Sequence, residues 1–211
     1  MAFEKMIQSL ESALSLALPG REVQFEMAPE TSIKNHTEPS ITSNAKESSV
    51  LILLYPDANS VKTVLILRNV YDGVHSGQVS FPGGKYEKHD HTLINTALRE
   101  AQEEIAIRAE DVCVIGKLSK LYIPPSNFNV LPVVGYSIKK PLFECDKKEV
   151  QKVIEISIFD LLDKQFKKIK TINVRGKRII APAYEIEGVT IWGATAMIIS
   201  ELMAILAGIS R

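Results

Sequence analysis

The chain has 211 residues, 45% of them apolar, with 25 basic and 25 acidic side chains that cancel to a formal net charge of zero. That length fits one domain with terminal additions, and the apolar share is ample for a core, which excludes a disordered or low-complexity chain. Zero net charge excludes a global field for nucleic acid or an anionic membrane, and Cys113 and Cys145 lack metal-ligand or redox-motif spacing and read as reduced thiols.

In chain order, the amphipathic stretch Phe3 to Leu18 predicts a helix ended by Pro19-Gly20, and Glu4 and Glu11 interrupt the apolar core that a secretory signal needs. Pro29 to Ser48 is polar and reads as a connector. Val50 to Tyr55 and Val61 to Arg68 read as strands of a hairpin turning at Asp57-Ala58-Asn59-Ser60. A glycine-led helical segment spans Gly83 to Ile107, followed by a strand or two in Arg108 to Lys120 and another in Val130 to Ile138. Lys148 to Ile156 predicts a further strand, and Ile158 to Lys164 a short helix. Lys164 to Arg178 is rich in lysine and arginine and reads as a solvated surface, with the attraction of an anionic substrate as the second reading. Arg175 to Tyr184 and Glu185 to Ile191 predict a late hairpin before an apolar terminal helix, Ala194 to Ile209. That helix is short for a bilayer and contains Glu201, so burial within the protein, in one subunit or across a homodimer, is the expectation. Interleaved strands and helices without strict βαβ alternation favour an α/β fold with a mixed sheet between helices. With no convincing address at the N-terminus, a reduced, cytoplasmic protein is expected.

The chemistry concentrates in the segment led by Gly83. Glu100, Glu103 and Glu104 stand at i, i+3 and i+4, so a helix groups three carboxylates while Ile94, Ala97, Leu98, Ala101 and Ile105 form an apolar counter-face that leaves the glutamates outward. Like charges this close repel, and a divalent cation with a taste for hard oxygen, magnesium or manganese, removes the conflict. Arg99, four residues before Glu103, can hold a carboxylate without competing for the metal. The paired glycines of Phe81-Pro82-Gly83-Gly84 let backbone approach an ion or phosphate. For a single glutamate a solvated helix is the better reading; for the cluster, a metal-dependent reaction on a phosphorylated substrate is. His89 and His91 read as loop histidines, Trp192 as core, and Tyr122 and Phe128 as either cleft or sheet-edge residues. Ser126 has no partner base to make it a nucleophile.

These residues resemble a Nudix box, Gly-x5-Glu-x7-Arg-Glu-U-x-Glu-Glu-x-Gly-U with U bulky and apolar. Arg99-Glu100-Ala101-Gln102-Glu103-Glu104-Ile105-Ala106-Ile107 matches its second half, with Ala106 in the glycine position. Counting from Gly84, the first acidic position falls on Asp90, eight residues before Arg99 rather than seven, a shift similar to the coenzyme A branch of the family. Arg68, Gly77 and Phe81-Pro82-Gly83-Gly84 are similar to that branch's upstream motif, whereas Ile66, Asn69 and Gly73 depart from it, Gly73 standing where the motif has a second arginine. Pro124 to Gly135, Glu149-Val150 and Ile191 to Ala196 also resemble segments found there.

The resemblance implies an α/β/α sandwich, with residues 1–48 as an N-terminal helix and connector and 49–211 as the Nudix domain. It also implies a small-molecule nucleotide substrate, with neither nucleic acid nor a membrane as partner. Metal ligands are then Glu100 and Glu104, supported by Glu103, the Gly84 carbonyl and Asp90, with Mg2+ or Mn2+ as cofactor. The general base is Glu100 or Glu103 within the box, or Glu149 from a facing loop, and the sequence does not choose among them; Arg99 belongs to the same machinery. Arg68, His75, Gly77 and Gln78 are the expected substrate contacts. The expected reaction is pyrophosphohydrolysis of a nucleoside diphosphate linked to another moiety. Coenzyme A or an acyl derivative leads, giving adenosine 3′,5′-bisphosphate and (acyl) phosphopantetheine. The alternatives are a dinucleotide, nucleotide sugar or nucleoside triphosphate as substrate, or a non-catalytic nucleotide-binding module.

Overall fold

The structure is a computed structural model that describes residues 3–33, 41–42, 44–70, 75–174 and 176–209. Gly73, Arg175 and part of the polar connector lie outside the described residues.

Three helices come first, α1 (Phe3–Leu14), α2 (Arg21–Phe25) and α3 (Glu30–Ile33). Then follow the strands β1 (Lys46–Asp57), β2 (Ser60–Arg68), β3 (Val79–Ser80) and β4 (Gly83–Lys85), and the helix α4 (Leu93–Ile105). The middle of the chain gives β5 (Cys113–Lys117), β6 (Leu121–Ile123), β7 (Phe128–Tyr136), β8 (Val150–Ser157) and α5 (Ile158–Leu162). The chain finishes with β9 (Lys167–Val174), β10 (Lys177–Ile186), β11 (Val189–Trp192) and α6 (Gly193–Ile209).

β1 is the spine. It pairs in parallel with β7 from Lys46↔Phe128 to Leu54↔Tyr136, and antiparallel with β2 and β4 on its other side. β3 and β8 extend β2, and β5 and β6 extend β7, which completes an eight-stranded mixed sheet. Side chains alternate across a strand, so β1 feeds two cores. Leu51, Leu53 and Tyr55 meet Ala97, Ala101 and Ile105 of α4, whereas Ile52 and Leu54 join Leu10 of α1 and Ile199 and Leu202 of α6. The predicted sandwich of helices about a mixed sheet is therefore the architecture observed.

Several local expectations shift. The first helix stops at Leu14, and Gly20, at φ +66°, turns the chain into the unforeseen α2. Gly83 to Lys85 form a strand rather than the start of a helix, and α4 begins only after Thr92, whose side chain accepts from the Asn95 N–H at 3.1 Å. The basic run contains β9, antiparallel to β10; Ile169, Ile172 and Val174 provide the strand-forming residues that its lysines obscure. The hairpin at Asp57↔Ser60 is where the sequence puts it, and the late hairpin turns at Glu187-Gly188, both at positive φ.

Glu201 is fully buried in α6, as its place in an apolar helix requires. It accepts hydrogen bonds from Gly20 N (3.0 Å), Gln24 Nε2 (2.8 Å) and Ser119 N (3.2 Å), which tie the N-terminal turn to the sheet layer. Among the described residues no helix is long and apolar enough to cross a membrane.

Candidate functional site

At 100° per residue, Glu104, Glu100 and Glu103 lie about 60°, 100° and 160° around α4 from Ala101, the centre of its buried stripe. Their side-chain exposures follow that order at 1%, 14% and 58%. The expectation that all three face outward thus fails for Glu104, which the neighbouring β4 covers. The trio divides into a buried carboxylate, a half-buried one and a surface one.

β4 is held against the helix by its glycines. Gly83 sits at φ +155°, and a Cβ there would run into the Ser49 carbonyl, with the Val50 Cα at 2.6 Å, so no side chain fits. Its N–H donates to Glu104 Oε2 at 2.8 Å. A Cβ on Gly84 would meet the Glu100 carboxylate, with Oε1 at 2.6 Å, so the second glycine makes room for that side chain.

Glu104 Oε1 is buried and receives no hydrogen bond. The Arg68 guanidinium stands 3.1 Å from it, at ion-pair range but out of hydrogen-bond alignment, and reaches the Gly83 carbonyl only at 3.4 Å. Arg68 ends β2 on the face that Val64 and Ile66 turn toward α4, where the register with β8 shifts. Burial, opposed by Arg68 and the Gly83 N–H and reinforced by Glu100 and Glu149, pushes the Glu104 carboxyl up to about 7. Burial also raises Glu100, against the pull of Arg99.

Arg99 is the hub of the outer half. Its Nε donates to Asp90 Oδ1 at 2.7 Å and Nη2 to Asp90 Oδ2 at 3.1 Å; Nη2 also reaches the Lys85 carbonyl at 3.1 Å. Nη1 lies 2.8 Å from Glu100 Oε1 and 2.9 Å from Glu103 Oε2. Asp90 Oδ2 accepts further bonds from Glu87 N (2.9 Å) and Thr96 Oγ1 (2.8 Å). Both Asp90 oxygens therefore accept from N–H and O–H donors, and Asp90 anchors Arg99. These bonds, Arg99 foremost, hold its carboxyl well below the usual range.

The other expected residues fall nearby in two groups. Glu149 is exposed just before β8, and its charge acts on both Glu100 and Glu104. His75 Nδ1 and Gln78 Oε1 are 3.2 Å apart, Gly77 turns at φ +65°, and Gln78 returns its carbonyl to Arg68 N at 3.0 Å. His89 is exposed beside Glu87, in a short 3-10 turn, Lys88–Asp90, rather than the loop expected. Sequence reasoning missed the Gly83 N–H, Thr96 and the Arg68–Glu104 ion pair; the glycine pair was the one local signal for the first of them. Ala106 ends α4 at φ +60°, the left-handed position that explains why the box prefers glycine there.

Among the described residues no three His, Cys, Asp or Glu side chains are already gathered for a metal. The donors nonetheless suit a hard divalent cation: an orphaned buried carboxylate oxygen, a second carboxylate resting on a glycine, and neighbouring negative charges that help to raise Glu104 and Glu100. A shallow groove lined by Asn95, Leu98, Arg99 and Gln102 runs along the outer face of the same helix.

Residues 45–165 match the family model described as the NUDIX domain. A protein of Yersinia enterocolitica described as an uncharacterized Nudix hydrolase, NudL, is 37% identical over 169 residues, covering 77% of this chain and 83% of its own. A Yersinia pestis protein of the same description is 41% identical over 130 residues, 61% of this chain and 64% of that protein. Among solved structures, a MutT/nudix family protein from Enterococcus faecalis superposes with a TM-score of 0.50 at 12% identity, covering 91% of this chain and 76% of the other, a likeness of fold.

Proposed function

The chain belongs to the Nudix hydrolase family, and from that premise we propose that it cleaves coenzyme A or acyl-coenzyme A at the diphosphate, with Mg2+ or Mn2+ as cofactor. The observation that carries the chemistry is the orphaned Oε1 of Glu104 beside the Gly83-Gly84 backbone and Glu100. The coenzyme A assignment is supported by the upstream motif, since Arg68 ends β2 within 3.1 Å of that same carboxylate. Two unpaired thiols accord with a cytoplasmic setting, where such a substrate is found.

In this reading Glu104, Glu100 and the Gly84 carbonyl hold the cation. When bound, it would neutralise the diphosphate and acidify a water. Arg99, pinned by Asp90, sets the rotamer of Glu100 and keeps Glu103 at the rim. Glu149, the exposed carboxylate on the facing loop, takes the proton from the attacking water, and the leaving phosphate departs with a charge that Arg68 meets. His75, Gly77 and Gln78 shape the turn that carries Arg68. Purified protein incubated with coenzyme A and magnesium should yield adenosine 3′,5′-bisphosphate and phosphopantetheine by chromatography. Hydrolysis of another dinucleotide or nucleotide sugar but not of coenzyme A would move the substrate and leave the class standing.

Two further results are expected. A raised carboxyl contributes stability that is fully present below the ordinary value of 4.5 and lost as pH rises through about 7. Without metal, therefore, the protein should lose ~3 kcal/mol between pH 4.5 and 8 from Glu104 alone. Added Mg2+ should raise the melting temperature far more at pH 8 than at pH 5, and thermal scans with and without EDTA read this directly; the opposite trend counts against the site. Second, Gly84→Ala should lower turnover about ten- to a hundredfold with little change in melting temperature. Its Cβ collides with the end of a flexible side chain, so the fold yields cheaply while Glu100 is displaced from its post.

A further inference from the structure

We infer that Arg68 is the internal counter-cation of Glu104, a placeholder that must leave the carboxylate before the site can take a divalent ion and is thereby released to the substrate's phosphate. This rests on the reading of Glu104 as a ligand and goes beyond the static role of Arg68 as a substrate contact.

A guanidinium placed to stay would grip a carboxylate with two parallel N–H···O bonds. Arg68 does not. One nitrogen approaches Oε1 at 3.1 Å without a hydrogen bond, and its bond to the Gly83 carbonyl is long at 3.4 Å. The partner oxygen Oε2 is fixed separately by the Gly83 N–H at 2.8 Å, so Glu104 keeps its position when Arg68 moves. The lone pairs of Oε1 are thus held in place, desolvated and neutralised only by a loosely seated charge.

The surroundings allow the exit. Arg68 is the last residue of β2, at a register shift, and its side chain is 20% exposed where Glu104 is 1% exposed. Its backbone is held by the Gln78 carbonyl at 3.0 Å, so the guanidinium can swing while its Cα stays. A monocation and a dication on one oxygen repel, so the two occupants exclude each other at Oε1. Arg68 therefore lowers the affinity for metal in the absence of nucleotide and gains a new acceptor when a diphosphate arrives. Metal and substrate then bind cooperatively, because a phosphate that holds the displaced guanidinium removes the competitor for Glu104.

The test is a Mn2+ titration followed by electron paramagnetic resonance of the free aqua ion, without nucleotide. Arg68→Gln should bind Mn2+ about tenfold more tightly than the wild type, and Arg68→Lys, which keeps a cation, should stay near the wild type. Equal or weaker binding in Arg68→Gln overturns the inference. Glu104→Gln in the same titration separates this from the underlying reading: unchanged Mn2+ affinity there removes Glu104 as a ligand, whereas loss there with no gain in Arg68→Gln removes only the exchange. Should Arg68→Gln fail to fold, the wild type decides. The Arg68 Nε–Hε resonance, assigned by its absence in Arg68→Lys, should move on addition of Mg2+ alone, and a resonance that stays put overturns the exchange.

Discussion

Glu104→Gln is expected to lower turnover about a thousandfold, some 4 kcal/mol of barrier, while the metal-free protein melts at the same temperature or higher at pH 8. The two halves of that result come from different properties of one side chain. Glutamine keeps the shape and, through its carbonyl oxygen, the hydrogen bond from the Gly83 N–H. It lacks the negative charge, and burial already pushes that charge's carboxyl up to about 7, so ionised Glu104 weakens the fold at pH 8 when no cation is present. Removing the charge relieves that cost and leaves Arg68, 20% exposed, free to turn to solvent. A merely structural glutamate would behave the other way, with stability falling and activity following it. Circular dichroism melting in EDTA, set beside coenzyme A hydrolysis at saturating Mg2+, distinguishes the two. A variant that retains turnover would end the assignment of Glu104 to the metal.

How much of this could be read from the chain depends on whether the partners of a residue are local. The carboxylates of α4 and its apolar stripe obey a helical period, so their grouping and the sandwich around them were legible before any coordinates. The depth of Glu104 was not, because it depends on β4, whose strand character hides in Gly83-Gly84-Lys85 and comes from pairing with Ser48 to Val50 of β1. β9 was obscured by its own lysines, which read as solvent-facing charge although Ile169, Ile172 and Val174 lie among them in an edge strand. The clasp on Glu201 joins positions up to 181 apart in sequence, beyond the reach of any local pattern. Asp90 is the instructive case: its place in the box pointed to the metal, and its part as an anchor, where Glu87, Thr96 and Arg99 converge, is written in no local pattern.

That assignment makes a prediction of its own size. Asp90→Asn is expected to destabilise the protein by about 3 kcal/mol, a fall of roughly 6–12 °C in melting temperature. Asp90 is 1% exposed at its side chain and accepts four hydrogen bonds, from Arg99 Nε and Nη2, Glu87 N and Thr96 Oγ1. Asparagine accepts at one oxygen only and turns an NH2 group toward donors, so at least one contact becomes donor against donor. Arg99 loses its principal partner and is drawn further onto Glu100, 2.8 Å from its Nη1, which takes that carboxylate away from Gly84 and weakens metal binding about ten- to a hundredfold. The acid limb carries the sign of the effect. A depressed carboxyl contributes stability above its unfolded value of 3.8 and loses it as pH falls toward the folded one. The gap between wild type and variant should accordingly hold level from pH 7 to about 4 and narrow in stronger acid. Were Asp90 a direct ligand instead, the variant would lose Mn2+ affinity as Glu104→Gln does while its melting temperature in EDTA stayed where it was.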